Sequence, residues 1–158
     1  MKYLCLILFA VTIPIFSVTY NAEVIRVVDG DTIHVRNAQG ERKKIRLYGI
    51  DAPEMKQRYG AKAGRYLASR IGGEFATIKV MDTDQYDRQV ALVYDAKMAN
   101  LNEEMIAMGF AWAYRKYLTE NFMDWVTIQS KAKEKKYGLW GKKHPIEPWE
   151  FRRQQRSN

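Results

Sequence analysis

Two short acidic segments, Asp29-Gly30-Asp31-Thr32 and Asp51-Ala52-Pro53-Glu54, lie within reach of two arginines, Arg46 and Arg88. Carboxylate oxygens are hard donors suited to a cation such as calcium, and paired guanidinium forks grip phosphate oxygens bidentately. A cation and two arginines would withdraw charge from a phosphodiester while a further carboxylate directs water at phosphorus. Each piece alone has an ordinary explanation. Asp-Gly-Asp is a favoured tight turn, and an arginine on a barrel surface usually faces solvent.

The elements that must bring these groups together are legible as hydrophobic patterns. Val24, Ile25, Val27 and Val28 lead into the Asp29-Gly30 turn, residues 32–35 form a second strand, and residues 44–48 form a third after a turn at 37–40. Such short turns force antiparallel neighbours about 4.8 Å apart, so carboxylates at their ends can converge if the barrel brings those ends together. Residues 59–71 carry a helical stripe closed by Gly72-Gly73. Strand patterns return at 75–80 and 90–94, joined by a polar segment that ends in Asp84-Gln85-Tyr86-Asp87-Arg88. Asn100 with Glu103 marks the N-cap of a second helix stopped by Gly109, and a third is expected over residues 121–136 with Phe122, Trp125, Ile128 and Ala132 inward. Five strands with a helix between the third and fourth is the order of an OB-fold, here an α+β five-stranded barrel with about three helices. The basic segment 142–158, with Pro145 and Pro148, reads as an extended tail docking through Ile146, Trp149 and Phe151, either to brace the barrel or to add basic contacts.

Three segments in order resemble the signature of the staphylococcal nuclease family. They are Val27-Val28-Asp29-Gly30-Asp31-Thr32, then Ile45-Arg46-Leu47 with Ile50-Asp51-Ala52-Pro53-Glu54, then Asp84-Gln85-Tyr86-Asp87-Arg88, within a similarity covering roughly residues 22–140. The resemblance implies calcium (Ca2+) held by the carboxylates of Asp31 and Asp51 and by the Ala52 carbonyl. It also implies Glu54 as general base, Arg46 and Arg88 on the phosphate and its transition state, DNA and RNA as substrates, 3′-phosphorylated products, and a monomer. Tyr86 and Tyr117 are placed to meet a phosphate or stack on a base, whereas Trp112 and Tyr114 suit core packing. This chain departs from the family at Asp87, where glycine is common; Asp tolerates the left-handed region, so the turn can survive.

The 158 residues leave room for one domain, and 26 Lys+Arg against 18 Asp+Glu give a net charge of +8 that attracts polyanions. Lys2 followed by an uncharged apolar run reads as a secretory signal peptide over residues 1–21, with a domain at 22–141 and a basic extension at 142–158. A secreted or periplasmic protein is expected; an uncleaved anchor is the alternative, since about 18 apolar residues reach the lower limit for spanning a bilayer. Cys5, the one cysteine, lies in that leader, which excludes a disulfide framework or thiolate metal site in the domain. A catalytically inactive OB module that binds nucleic acid remains the other functional reading, but such a module has no need of paired carboxylates beside paired arginines.

Overall fold

The computed structural model describes residues 18–157, so most of the expected leader, Cys5 included, lies outside the described residues. The elements in chain order are β1 (Thr19–Val27), β2 (Thr32–Asn37), β3 (Arg42–Leu47), β4 (Ile50–Asp51), α1 (Gly60–Ile71), β5 (Phe75–Thr83), β6 (Gln89–Tyr94), α2 (Leu101–Ala107), β7 (Trp112–Ala113), α3 (Asp124–Glu134) and α4 (Pro148–Arg156). Strands β1, β2, β3, β6 and β5, in that spatial order, close the expected five-stranded barrel. All neighbours are antiparallel except β3 and β6, whose parallel pairing requires the crossover that α1 and β5 supply. Among the described residues, no helix is long and apolar enough to cross a membrane.

Alternation along the strands turns Val24, Ile33, Val35, Ile45, Leu47 and Ile78 into a buried interior. Trp125 of α3 is fully buried beneath the barrel, its indole N–H donating to Glu103 at 3.1 Å. Trp112 is buried as expected, edge-on to Trp140 at 5.0 Å. The Asn100 side chain accepts from the backbone N–H groups of Asn102 and Glu103, which confirms the anticipated cap.

Several features differ from the sequence expectation. Strand β1 begins at Thr19, three residues before the expected start of the domain, because Thr19, Tyr20 and Asn21 pair with Lys79, Ile78 and Thr77. The two-residue strands β4 and β7 pair with each other and are too short to leave a periodic signature. Helix α3 starts at Asp124, after a 3-10 turn at Glu120–Phe122, rather than at residue 121. The tail is not extended: it ends in α4, which makes four helices where about three were expected. Pro148, read as a breaker, occupies the first turn, where its missing N–H is harmless and its fixed φ already helical. Docking of the tail also differs, since the Ile146 side chain is exposed and its carbonyl makes the contact instead.

Two polar clusters hold the helices to the barrel. Fully buried Asn102 accepts from the Val93 N–H at 2.9 Å and donates to the carbonyls of Tyr48 at 2.9 Å and Ala91 at 3.0 Å. Between α1 and α2, Glu104 accepts from Tyr66 Oη at 2.5 Å and Arg70 Nε at 2.6 Å, and Arg70 reaches Asp95 at 3.2 Å. The hydrogen bond from Arg70 holds the Glu104 carboxyl below its usual range, and the Ala99 backbone N–H does the same for Asp95.

Asn102→Ala strands three buried backbone partners and is expected to destabilise the protein by about 3 kcal/mol, read as a lower urea midpoint. Because the Glu104 pKa is depressed on folding, its stabilising contribution is complete above the ordinary carboxylate range and is lost as pH falls through the lower folded value. Glu104→Gln is therefore expected to lose less stability than the parent between about pH 5 and pH 3 in thermal scans.

Candidate active site

The acidic segments meet because one backbone turn and two strand pairs converge. Asp29 Oδ1 accepts from the Asp31 N–H at 3.0 Å and sets the turn into β2, where Thr32 pairs with Arg46 of β3. The Leu47 N–H then donates to the Asp31 carbonyl at 2.8 Å, and β4 brings Asp51 back beside the same end of the barrel. Asp31 Oδ2 accepts the Ala52 N–H at 2.6 Å, which joins the two segments directly. Gly30 permits this approach: a Cβ there would stand 2.7 Å from both the Ala52 and the Ala63 methyl carbons.

Arg46 binds both acids, with Nη1 3.1 Å from Asp31 Oδ2 and Nη2 2.9 Å from Asp51 Oδ1. Asp31 is buried and Asp51 is 1% exposed, so both carboxylates depend on counter-charge supplied inside the protein. Burial pushes the Asp51 pKa up, opposed by its hydrogen bond from Arg152 and the charge of Arg46. Neighbouring Asp29 is pushed up to about 7, by burial first and by the charge of Asp31 second. Glu54 stands at the rim with its side chain 39% exposed, its backbone held by reciprocal bonds with Gln57 at 3.1 and 2.7 Å.

Asp31, Arg46, Asp51, Ala52 and Glu54 thus form one cluster, and Arg88 stands apart from it. The Arg88 guanidinium is held by Asp84, at 2.8 Å from both Nε and Nη2, and lies over the Tyr86 ring. The parallel register that sets Ile45 beside Gln89 and Arg46 beside Val90 nevertheless places Arg88 next to the strand that carries Arg46. Asp87 adopts φ +58°, so the turn expected to tolerate aspartate in place of glycine does so. Tyr86 and Tyr117 are exposed, Tyr117 standing edge-on to Tyr114 at 4.7 Å.

The sequence reading missed Arg152 of α4. Its Nη2 lies 2.8 Å from Asp51 Oδ2, and its Nη1 lies 2.7 Å from Glu54 Oε1. Burial alone would lower the Arg152 pKa, but hydrogen bonds with Asp51 and Glu54 hold it above the ordinary arginine range. The helix is seated by Trp149, stacked on Tyr114 at 5.2 Å, and by Gln57 Nε2 donating to the Ile146 carbonyl at 2.5 Å. The one available signal was a Trp-x-x-Arg spacing, which puts both side chains on one helical face.

As to metal binding, among the described residues no group of three or more His, Cys, Asp or Glu side chains is set to hold an ion. Asp31 and Asp51 are an all-oxygen carboxylate pair of the kind hard divalent cations take, with Arg46 and Arg152 here supplying its counter-charge.

The closed five-stranded barrel is the OB architecture, and its buried acids and arginines gather at one strand end. The family model for staphylococcal nuclease homologues matches residues 44–142. An endonuclease of Escherichia coli O157:H7 that carries no further characterisation is 36% identical over 96% of this chain and 97% of its own length. A micrococcal nuclease of Shigella flexneri is 31% identical over 90% of this chain and 86% of its own, and a protein of Oryza sativa subsp. japonica named as a probable staphylococcal-like nuclease is 37% identical over 72% and 29%. The chain belongs to the staphylococcal nuclease family and is a nuclease.

Gly30→Ala is expected to destabilise the domain by about 1–3 kcal/mol through overpacking and to reduce nuclease activity at least tenfold by parting Asp31 from Ala52. Gly40→Ala, at φ +79° with open space around it, is expected to lower the melting temperature while activity is retained.

Proposed function

We propose that this nuclease is a calcium-dependent phosphodiesterase acting on DNA and RNA and leaving 3′-phosphorylated products. The observation that carries the proposal is the cluster itself: buried Asp31 and Asp51 bridged by Arg46, with the partly exposed Glu54 at its edge. The cation would be held by the Asp31 and Asp51 carboxylates with the Ala52 carbonyl. When bound, it supplies Lewis-acid polarisation of a phosphate oxygen.

The chain's own groups perform the remaining steps. Glu54, unlike the two aspartates, reaches solvent, so its carboxylate can orient a water and accept its proton as the water attacks phosphorus opposite the 5′-oxygen, whose bond to phosphorus breaks and which takes up a proton from solvent as it leaves. Arg46 is fixed on a barrel strand, which suits a donor to the equatorial oxygens where charge accumulates. Arg88 exchanges Asp84 for substrate phosphate, a move its one-carboxylate tether permits. Tyr86 and Tyr117 offer exposed ring faces to unpaired bases.

We also infer export to the medium or periplasm by the N-terminal leader. The pairing of Thr19 with Lys79 favours processing upstream of Thr19, because later removal would take residues from the strand that closes the barrel.

The purified domain is expected to cut single-stranded DNA with calcium and to stop in EDTA. Glu54→Gln should reduce kcat by about 100-fold or more, and Arg88→Ala should reduce kcat/KM by about 100-fold. Tight binding of DNA without cutting in calcium would refute the catalytic reading and leave a binding module.

A further inference from the structure

Building on the proposed phosphodiesterase reading, we propose that Arg152 is a substrate-binding residue: α4 presents its guanidinium to the phosphate of the bound nucleic acid, and holds it on Asp51 and Glu54 while the site is empty. The fork is already inside the cluster, 2.8 Å from Asp51 Oδ2, 3.2 Å from Asp51 Oδ1 and 2.7 Å from Glu54 Oε1. Arg88, the second arginine expected from sequence, spends its guanidinium on Asp84 and makes no such contact. The two guanidiniums that flank the buried acids are therefore Arg46 and Arg152.

Charge decides how the cluster responds to an entering cation. Asp51 cannot offer the same oxygens to a divalent ion and to a bidentate guanidinium, so Arg152 must give up that carboxylate. A displaced guanidinium beside the site needs a new anion, and the substrate phosphate brings one with matching fork geometry. Release is short-range because the helix stays anchored. Trp149, three residues before Arg152 on the same helical face, remains stacked on Tyr114, and Gln57 still holds the Ile146 carbonyl. Arg153 differs in every respect: its side chain is 76% exposed and pairs with Glu150 of its own helix at 2.6 Å.

The test uses the full exported domain and a nucleoside 3′,5′-bisphosphate as probe, with affinity read by calorimetry in calcium and in EDTA. In calcium, Arg152→Gln is expected to weaken the probe at least tenfold, Arg152→Lys to weaken it less, and Arg153→Gln to leave it within twofold. In EDTA, where the guanidinium remains on Asp51 and Glu54, Arg152→Gln is expected to change affinity less than twofold. Thermal melting of Arg152→Gln within a few degrees of the parent rules out a folding artefact, and Trp149→Ala, which loosens the helix without touching the cluster, is expected to reproduce part of the loss. Unchanged or tighter binding by Arg152→Gln in calcium would overturn the proposal and leave Arg152 as a plug on the carboxylates. If the parent itself binds the probe equally in calcium and EDTA, the cation reading fails instead, and the Arg152→Gln comparison still decides whether this arginine touches phosphate.

Discussion

Burying two carboxylates within one guanidinium's span is the constraint on which this molecule's active end depends. Isolated ionised acids in a protein interior are costly, so Asp31 and Asp51 persist only with hydrogen-bond donors and positive charge around them. Arg46 supplies the charge from the end of β3, and the Ala52 N–H supplies a donor from the neighbouring segment. Arg46 is rigid because the barrel is closed, β3 being paired by β2 and by β6, and Ala52 follows β4, which is paired with β7. The fold therefore does more than carry the acids. It fixes the counter-charge that allows them to be there.

The parts of this arrangement that were legible from sequence are those written in local spacing. Asp31 closes the turn into β2 and Arg46 lies on β3, where alternation of apolar and polar residues sets register and face, while Asp51 was marked by the Asp51-Ala52-Pro53-Glu54 segment rather than by a strand period. Asn100 declared its helix because a cap is a local event, and Asp87 kept its turn because aspartate enters the left-handed region at modest expense. What escaped was short or distant. Strands β4 and β7 offer two residues each, below any period that can be detected. Helix α4 was hidden by prolines whose meaning depends on position, harmful inside a helix and helpful at its start. The contact between Arg152 and Asp51 spans 101 residues of chain, and no spacing rule reaches that far.

The relatives place this geometry in context. Similarity to the Escherichia coli endonuclease extends along nearly the whole chain, whereas the rice protein shares a much smaller part of its own length. The family match ends at residue 142, so α4 lies beyond the region by which the family is recognised. A helix outside the family match has nevertheless placed a charged group on the most buried of the acids, Asp51.

The two halves of the acid cluster differ in how they are tied to the rest of the chain. Asp31, Arg46 and Asp51 are joined by short loops within the meander, so assembling them closes little chain and they open only when the barrel itself unfolds. Arg152 is tied by the Trp149 stack, the Gln57 bond to the Ile146 carbonyl, the burial of Pro148 and its own ion pairs, the stack, bond and ion pairs all reaching residues distant in the chain. Helix α4 is consequently held by fewer contacts than the barrel strands, and its local opening is expected to need less free energy than opening of the barrel. Amide exchange along α4 then reports the breathing of the site's mouth, whereas exchange along β3 reports the stability of the whole protein.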